Sequence, residues 1–109
     1  SGSFSEDDGR KFENLVYLHL RRNYKEIYYF SEKGECDFVF FSDGVAVGAV
    51  QACFDLNPDN LDRELNGLVE ALALLKLKKG RIVTVNQKDV YKNDGYVIEV
   101  IPCHEFLLS

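Results

Sequence analysis

Four positions carry the chemistry open to this chain: Glu13, Asp37, Gln51 and Cys53. Glu13 falls in a stretch with helical periodicity. Asp37 interrupts a run of large apolar residues that reads as a strand, and Gln51-Ala52-Cys53 lies on the strand after it. An acid on a helix, an acid on one strand and a spaced pair on the next is a layout suited to opening a phosphodiester. Two carboxylates hold a hard divalent cation, and an ammonium steadies the charge that builds in the transition state. Such a site needs an Asp followed by Glu-x-Lys. Here the second acid is Gln51 and the lysine is Cys53, so the layout is present and half of its chemistry is missing.

Each of these residues also has a purely structural reading. An ionised Asp37 among Cys36, Phe38 and Val39 is costly unless a cation ligand role, an edge position or an ion pair relieves it. The Gln51 oxygen can ligate Mg²⁺ weakly beside Asp37, without adding charge. Alternatively, Gln51 is a buried amide tying backbone groups together. Cys53 cannot replace an ammonium. With no histidine near it in sequence, it reads as a small hydrophobe rather than a nucleophile. Glu13 either reaches over the sheet toward Asp37 or serves the helix dipole as a first-turn acid. His19 falls inside an apolar helical stripe and reads as a core histidine. Arg63 is the candidate for the missing cation, but its helical angle turns it toward solvent; Glu64 lies nearer the sheet-facing side.

The elements that must position these groups follow from periodicity. A helix is expected from about Asp7 to Arg22, capped by Ser5 or Asp7, with Phe12, Leu15, Val16, His19 and Leu20 as its apolar stripe. Strands are expected over Ile27–Phe30, Cys36–Phe41, Val45–Phe54, Ile82–Val85 and Tyr96–Ile101. A long helix should open at Asn57-Pro58-Asp59 and stop at Gly80. Lys88–Gly95 reads as a polar loop, and His104–Leu108 as a short apolar tail. The Ser42-Asp43-Gly44 connection decides the register. A three-residue loop pairs Asp37 with Ala49 and puts Asp37, Gln51 and Cys53 on one face, whereas a two-residue loop pairs Asp37 with Val50 and separates them. The three-residue loop is expected. The order implies an α/β sandwich on a mixed sheet.

Composition sets outer bounds. The 109 residues suit one domain, with 46% apolar content and a net charge of −5. That balance argues against a general duplex-binding face, which needs a basic stripe. The apolar runs are too short and too interrupted to span a membrane. Three cysteines without a C-x-x-C pair or a secretion signal suggest a reducing, cytoplasmic setting. No Gly-rich phosphate loop occurs. Ser1-Gly2-Ser3 reads as a cloning scar ahead of a single domain over residues 4–109, excised from a longer protein. Leu74 and Leu77, off the main helical stripe, together with Phe106 in the tail, form a candidate docking patch.

The run Gly9-Arg10-Lys11-Phe12-Glu13-Asn14-Leu15-Val16-Tyr17 resembles the G-x-x-x-E-N-x-V-y opening of one family. Glu35-Cys36-Asp37-Phe38-Val39, Val50-Gln51-Ala52-Cys53, Arg63-Glu64 and the closing Pro102–Leu108 are similar to it in the same order. That family is the C-terminal PD-(D/E)XK nuclease-like domain of prokaryotic AAA-type (archaeal or DEXX-box) ATPases. The resemblance implies a restriction-endonuclease-like αβββαβ fold, with an ATP-binding P-loop domain and a winged-helix segment preceding it in the parent chain. It maps the nuclease positions to Glu13, Asp37, Gln51 and Cys53. Members with Glu-x-Lys would cut DNA, and this chain departs at both of those positions. The resulting expectation is a non-catalytic accessory domain that contacts its own ATPase domain and, weakly, DNA. The alternatives are an active metal-dependent nuclease with an unorthodox Glu13, Asp37, Gln51 site, and an oligomerisation or partner-docking module.

Overall fold

A computed structural model describes residues 6–109; the expected scar and the Ser5 cap lie outside the described residues. The element order is α1 (Glu6–Arg21), β1 (Glu26–Ser31), β2 (Glu35–Ser42), β3 (Val45–Ala52), α2 (Leu61–Leu75), β4 (Lys79–Thr84), β5 (Asp89–Asn93), β6 (Tyr96–Pro102) and α3 (Cys103–Leu107). One six-stranded sheet runs β1-β2-β3-β4-β6-β5. β1, β2 and β3 form an antiparallel meander. The α2 crossover makes β4 parallel to β3, β6 continues parallel to β4, and β5 closes the far edge antiparallel. The expected α/β sandwich on a mixed sheet is therefore present. Among the described residues, no helix is long and apolar enough to cross a membrane.

Two cores flank the sheet. Leu68, Ala71 and Leu72 of α2 pack on Val39, Ala49, Ile82, Ile98 and Val100. On the other side, Phe12, Val16 and Leu20 of α1 and Phe106 of α3 pack on Phe38, Phe40, Val50 and Val83. Alternation along each strand sends neighbouring residues to opposite cores. Leu68 and Leu72 are fully buried, each contributing about 1.5–3 kcal/mol of apolar burial. α2 sits unusually close to β2. A Cβ on Gly67 would lie 2.0 Å from the Glu35 carbonyl oxygen. The glycine costs about 1 kcal/mol of helix propensity, and that contact is what requires it.

Several boundaries differ from expectation. Ser42 pairs with Val45, so the connection is the two-residue loop; Asp43 and Gly44 have φ of 52° and 79°, a type I′ turn. Parity is restored farther along, because Phe40 pairs with Gly48 and Phe41 with Ala46, leaving Val47 as the extra residue of a bulge. The helix does not reach Gly80. It ends in a Schellman motif at Lys76, left-handed at φ 60°, with Leu77 N–H on the Leu72 carbonyl at 2.9 Å and Lys76 N–H on the Ala73 carbonyl at 3.3 Å. Gly80 belongs to β4, where a Cβ would stand 3.1 Å from Leu68 and Leu72. The expected loop Lys88–Gly95 contains β5 and a second type I′ turn at Asp94-Gly95, with φ of 51° and 85°. Phe106 is not part of a docking patch: it is 2% exposed and packs against His19 on the α1 side. Leu77 is half-buried against the α2 core, leaving Leu74 of that patch at 63% exposure.

Candidate functional site

The end of β3 emerges between the first turns of α1 and α2. There it forms the floor of a shallow, open hollow of about 320 Å³ lined by Glu13, Ala52, Cys53, Arg63 and Glu64. Gln51 and Asp37 lie just behind it, because extending the register from Phe38–Val50 places Asp37 opposite Gln51. A second bulge sits at this point. Tyr28 pairs with Val39 and Phe30 with Cys36, so Asp37 and Phe38 together face Tyr29. Cys36 therefore enters the α2 core while Phe38, two residues on, enters the α1 core. The bulge re-aims Asp37. Its Oδ2 accepts the Ala52 N–H at 2.8 Å. The neighbouring Cys53 N–H goes to Val83 on β4, so Ala52 N–H points toward β2, and the Asp37 carboxylate stands where a ladder carbonyl would.

Gln51 is used differently. It is 2% exposed and lies on the α2 side of the sheet. Its Nε2 donates to the Glu35 carbonyl at 2.8 Å and to the Glu64 carbonyl at 3.1 Å. Its Oε1 accepts the Asp37 N–H at 2.9 Å. The amide orientation follows from this network, with two carbonyls at one end and an N–H at the other. Gln51 thus ties β2, β3 and α2 together at the place where Gly67 brings helix and strand closest. Cys53 shares the α2 side and sits in that core; burial and the Glu64 charge push its thiol up to about 12. Burial likewise pushes the Cys36 thiol up to about 12.

The charged lining of the hollow is mixed, Glu6, Glu13 and Glu64 standing with Arg10 and Arg63. Burial raises Asp37 to about 7, the Ala52 hydrogen bond opposes the rise, and the charges of Glu13, Glu64 and Glu35 add to it. Burial also raises Glu64, against the lowering effect of Arg63. Arg63 lies 3.5 Å from Glu64, with its side chain 73% exposed against 16% for the acid. It is turned to solvent, as its helical angle implied, and still lines the hollow. The structure therefore gathers Glu13, Cys53, Glu64 and Arg63 around one opening, with Asp37 beside it and the Gln51 amide committed to the backbone. Among the described residues, no three His, Cys, Asp or Glu side chains converge as a metal-ligand set.

Two contributions were weaker in the sequence. Glu64 reads there only as an extra acid, and its burial depends on the tight seating of α2. Glu70 carries no signal at all, yet its carboxylate accepts the Gly34 N–H at 2.7 Å and the Lys33 N–H at 3.3 Å, fastening the β1–β2 turn to α2.

No family model matches the chain. It is similar to an uncharacterized protein of Methanocaldococcus jannaschii, 32% identical over 118 aligned positions that cover 98% of this chain and 26% of that protein. The chain thus spans about a quarter of the length of the curated relative it matches, and nearly all of it takes part in that likeness.

Proposed function

We propose that this chain is a non-catalytic, nuclease-like accessory domain of a longer cytoplasmic protein that contains a P-loop ATPase, working through contacts with that ATPase domain and, weakly, with DNA. The observation that carries this reading is the state of Gln51. A cation-dependent nuclease needs a free carboxylate at this position, whereas the Gln51 amide is buried and bonded to three backbone groups. Cys53, in the lysine position, is a buried apolar side chain with no charge to offer. The ordering of β2, β3 and α2 around Gln51 supports a scaffold kept for its shape rather than for hydrolysis. The similarity to part of a longer archaeal protein suits a module working within a larger chain.

A second reading rests on a specific observation. Besides burial, the charge of Glu13 raises the proton affinity of both Asp37 and Glu64, and Glu64 adds to that of Asp37, as carboxylates do when they crowd a place a divalent cation would neutralise. It would be an unorthodox nuclease site with Arg63 as its cation. Plasmid and short-duplex DNA incubated with the domain in Mg²⁺ or Mn²⁺ separates the two readings. The accessory-domain reading expects cleavage no faster than in buffer. Cleavage abolished by Asp37→Ala would replace it with the second.

A further inference from the structure

At the far end of the molecule a separate cleft of about 400 Å³ opens beneath the last turn of α1, sharing no residue with the hollow at the end of β3. Its walls are aromatic, formed by Tyr24, Phe40 and Phe106. Its floor is the start of β4. Val83 faces the α1 core and Ile82 the α2 core, so alternation places Lys79 and Arg81 on the cleft side, and both line it. The protein is acidic overall, yet no Asp or Glu side chain is among the lining residues. Glu99 lies beside the cleft and approaches Arg81 at Nε, 3.6 Å away. That leaves the terminal guanidinium nitrogens, the fork that matches a carboxylate or phosphate.

His19 supplies a second polar group. It is 9% exposed, lines the cleft and rests edge-on against Phe106, with ring centroids 4.7 Å apart. Its Nδ1 is buried without a hydrogen-bond partner among the described residues. The ring therefore keeps hydrogen-bonding capacity that the described residues leave unused and that an occupant of the cleft can take up.

We propose that this cleft binds a small organic anion with a flat apolar body. Its carboxylate or phosphate meets Arg81 and His19, and its ring lies among Tyr24, Phe40 and Phe106. The volume falls in the range of small-molecule pockets, where apolar walls and a few convergent polar groups set orientation. The anion competes with Glu99 for Arg81, so binding of a simple probe is weak and the charge dependence is the informative readout.

The test titrates ¹⁵N-labelled protein with 2-naphthoate and, separately, with its neutral isostere 2-naphthamide, following amide shifts by NMR. The expected result is saturable shifts at Gly48, Lys79–Arg81 and Tyr24, with naphthoate bound about fivefold tighter than the amide. Arg81→Gln should bring that ratio close to one. Equal binding of the two probes by the wild-type chain, shifts confined to other surfaces, or no shifts at millimolar probe would overturn the proposal without any variant being needed.

Discussion

Replacing Gln51 by Glu restores the acid that a nuclease site would need and removes the donor that the fold uses. The new carboxylate keeps the acceptor for Asp37 N–H but faces the Glu35 and Glu64 carbonyls, now 2.8 and 3.1 Å away, with no proton when ionised. The Glu64 carbonyl keeps its helical partner, so each lost bond costs about 1 kcal/mol, and an ionised carboxylate buried against two carbonyl oxygens adds to that, giving a loss on the order of 2–6 kcal/mol for the ionised variant. A protonated carboxyl recovers one of the two bonds, reducing the loss to about half. Burial beside Asp37 and Glu64 raises the folded-state proton affinity of the new group above its unfolded value of about 4.3. The sign follows from linkage: the protonated form's support is complete below that unfolded value and is lost as pH rises through the folded one. Urea unfolding should therefore show Gln51→Glu modestly weaker than wild type at pH 4.5 and much weaker at pH 8. The melting temperature at pH 8 should fall by about 10 °C or more, since 1 kcal/mol corresponds to about 4–8 °C in a domain of this size. Gln51→Leu should lose a comparable amount with little added dependence on pH. A Gln51→Glu variant as stable as wild type across this range would refute the bridging role of the amide.

Three further outcomes are expected. Gly67→Ala should destabilise by more than about 2 kcal/mol in thermal melts despite a gain of about 1 kcal/mol in helix propensity, because its methyl would meet the Glu35 carbonyl at 2.0 Å. Asp37, raised to about 7 by burial and neighbouring acids, contributes stability that is complete below about pH 4 and gone once pH passes about 7. Asp37→Asn, which can still accept the Ala52 N–H, should flatten that slope and gain on the order of 1–2 kcal/mol at pH 8, measured by urea titration. Cys36 and Cys53 should resist alkylation in the native state at pH 8, since burial holds both thiols up to about 12; mass spectrometry should find modification confined to Cys103 until urea is added.

Much of the scaffold was legible because it is written in period. The stripe Phe12, Val16, Leu20 gave α1, the alternating β2 and β3 gave the meander, and Leu68 with Leu72 gave the buried face of α2. What escaped are irregularities that period does not encode. The bulge at Val47 leaves no mark in an apolar run, so a two-residue turn and a bulge together imitate the parity of a three-residue loop. Leu77 falls on the outer helix face only if the helix continues to it; in a Schellman motif the residue after the left-handed position packs back on the helix instead. β5 is a largely exposed edge strand in which Val90 and Tyr91 stand among Asp89, Lys92 and Asn93, and its Asp94-Gly95 turn signal was read as loop. At the site, the sequence identified Asp37 and Gln51 as the polar residues that needed an explanation. It could not show that the bulge at Asp37 turns the carboxylate into the sheet ladder while Gln51 reaches beneath α2. That division depends on side-chain direction at one irregular strand end.

The central claim, that the hollow holds no catalytic cation, is tested most directly by titrating Mg²⁺ and then Mn²⁺ into the domain while following the ¹³C resonance of the Asp37 carboxyl at pH 7. The account predicts no saturable change below several millimolar metal and an unaltered Asp37 titration. Saturable sub-millimolar binding that lowers the Asp37 titration midpoint, and that disappears in Glu64→Gln, would contradict it.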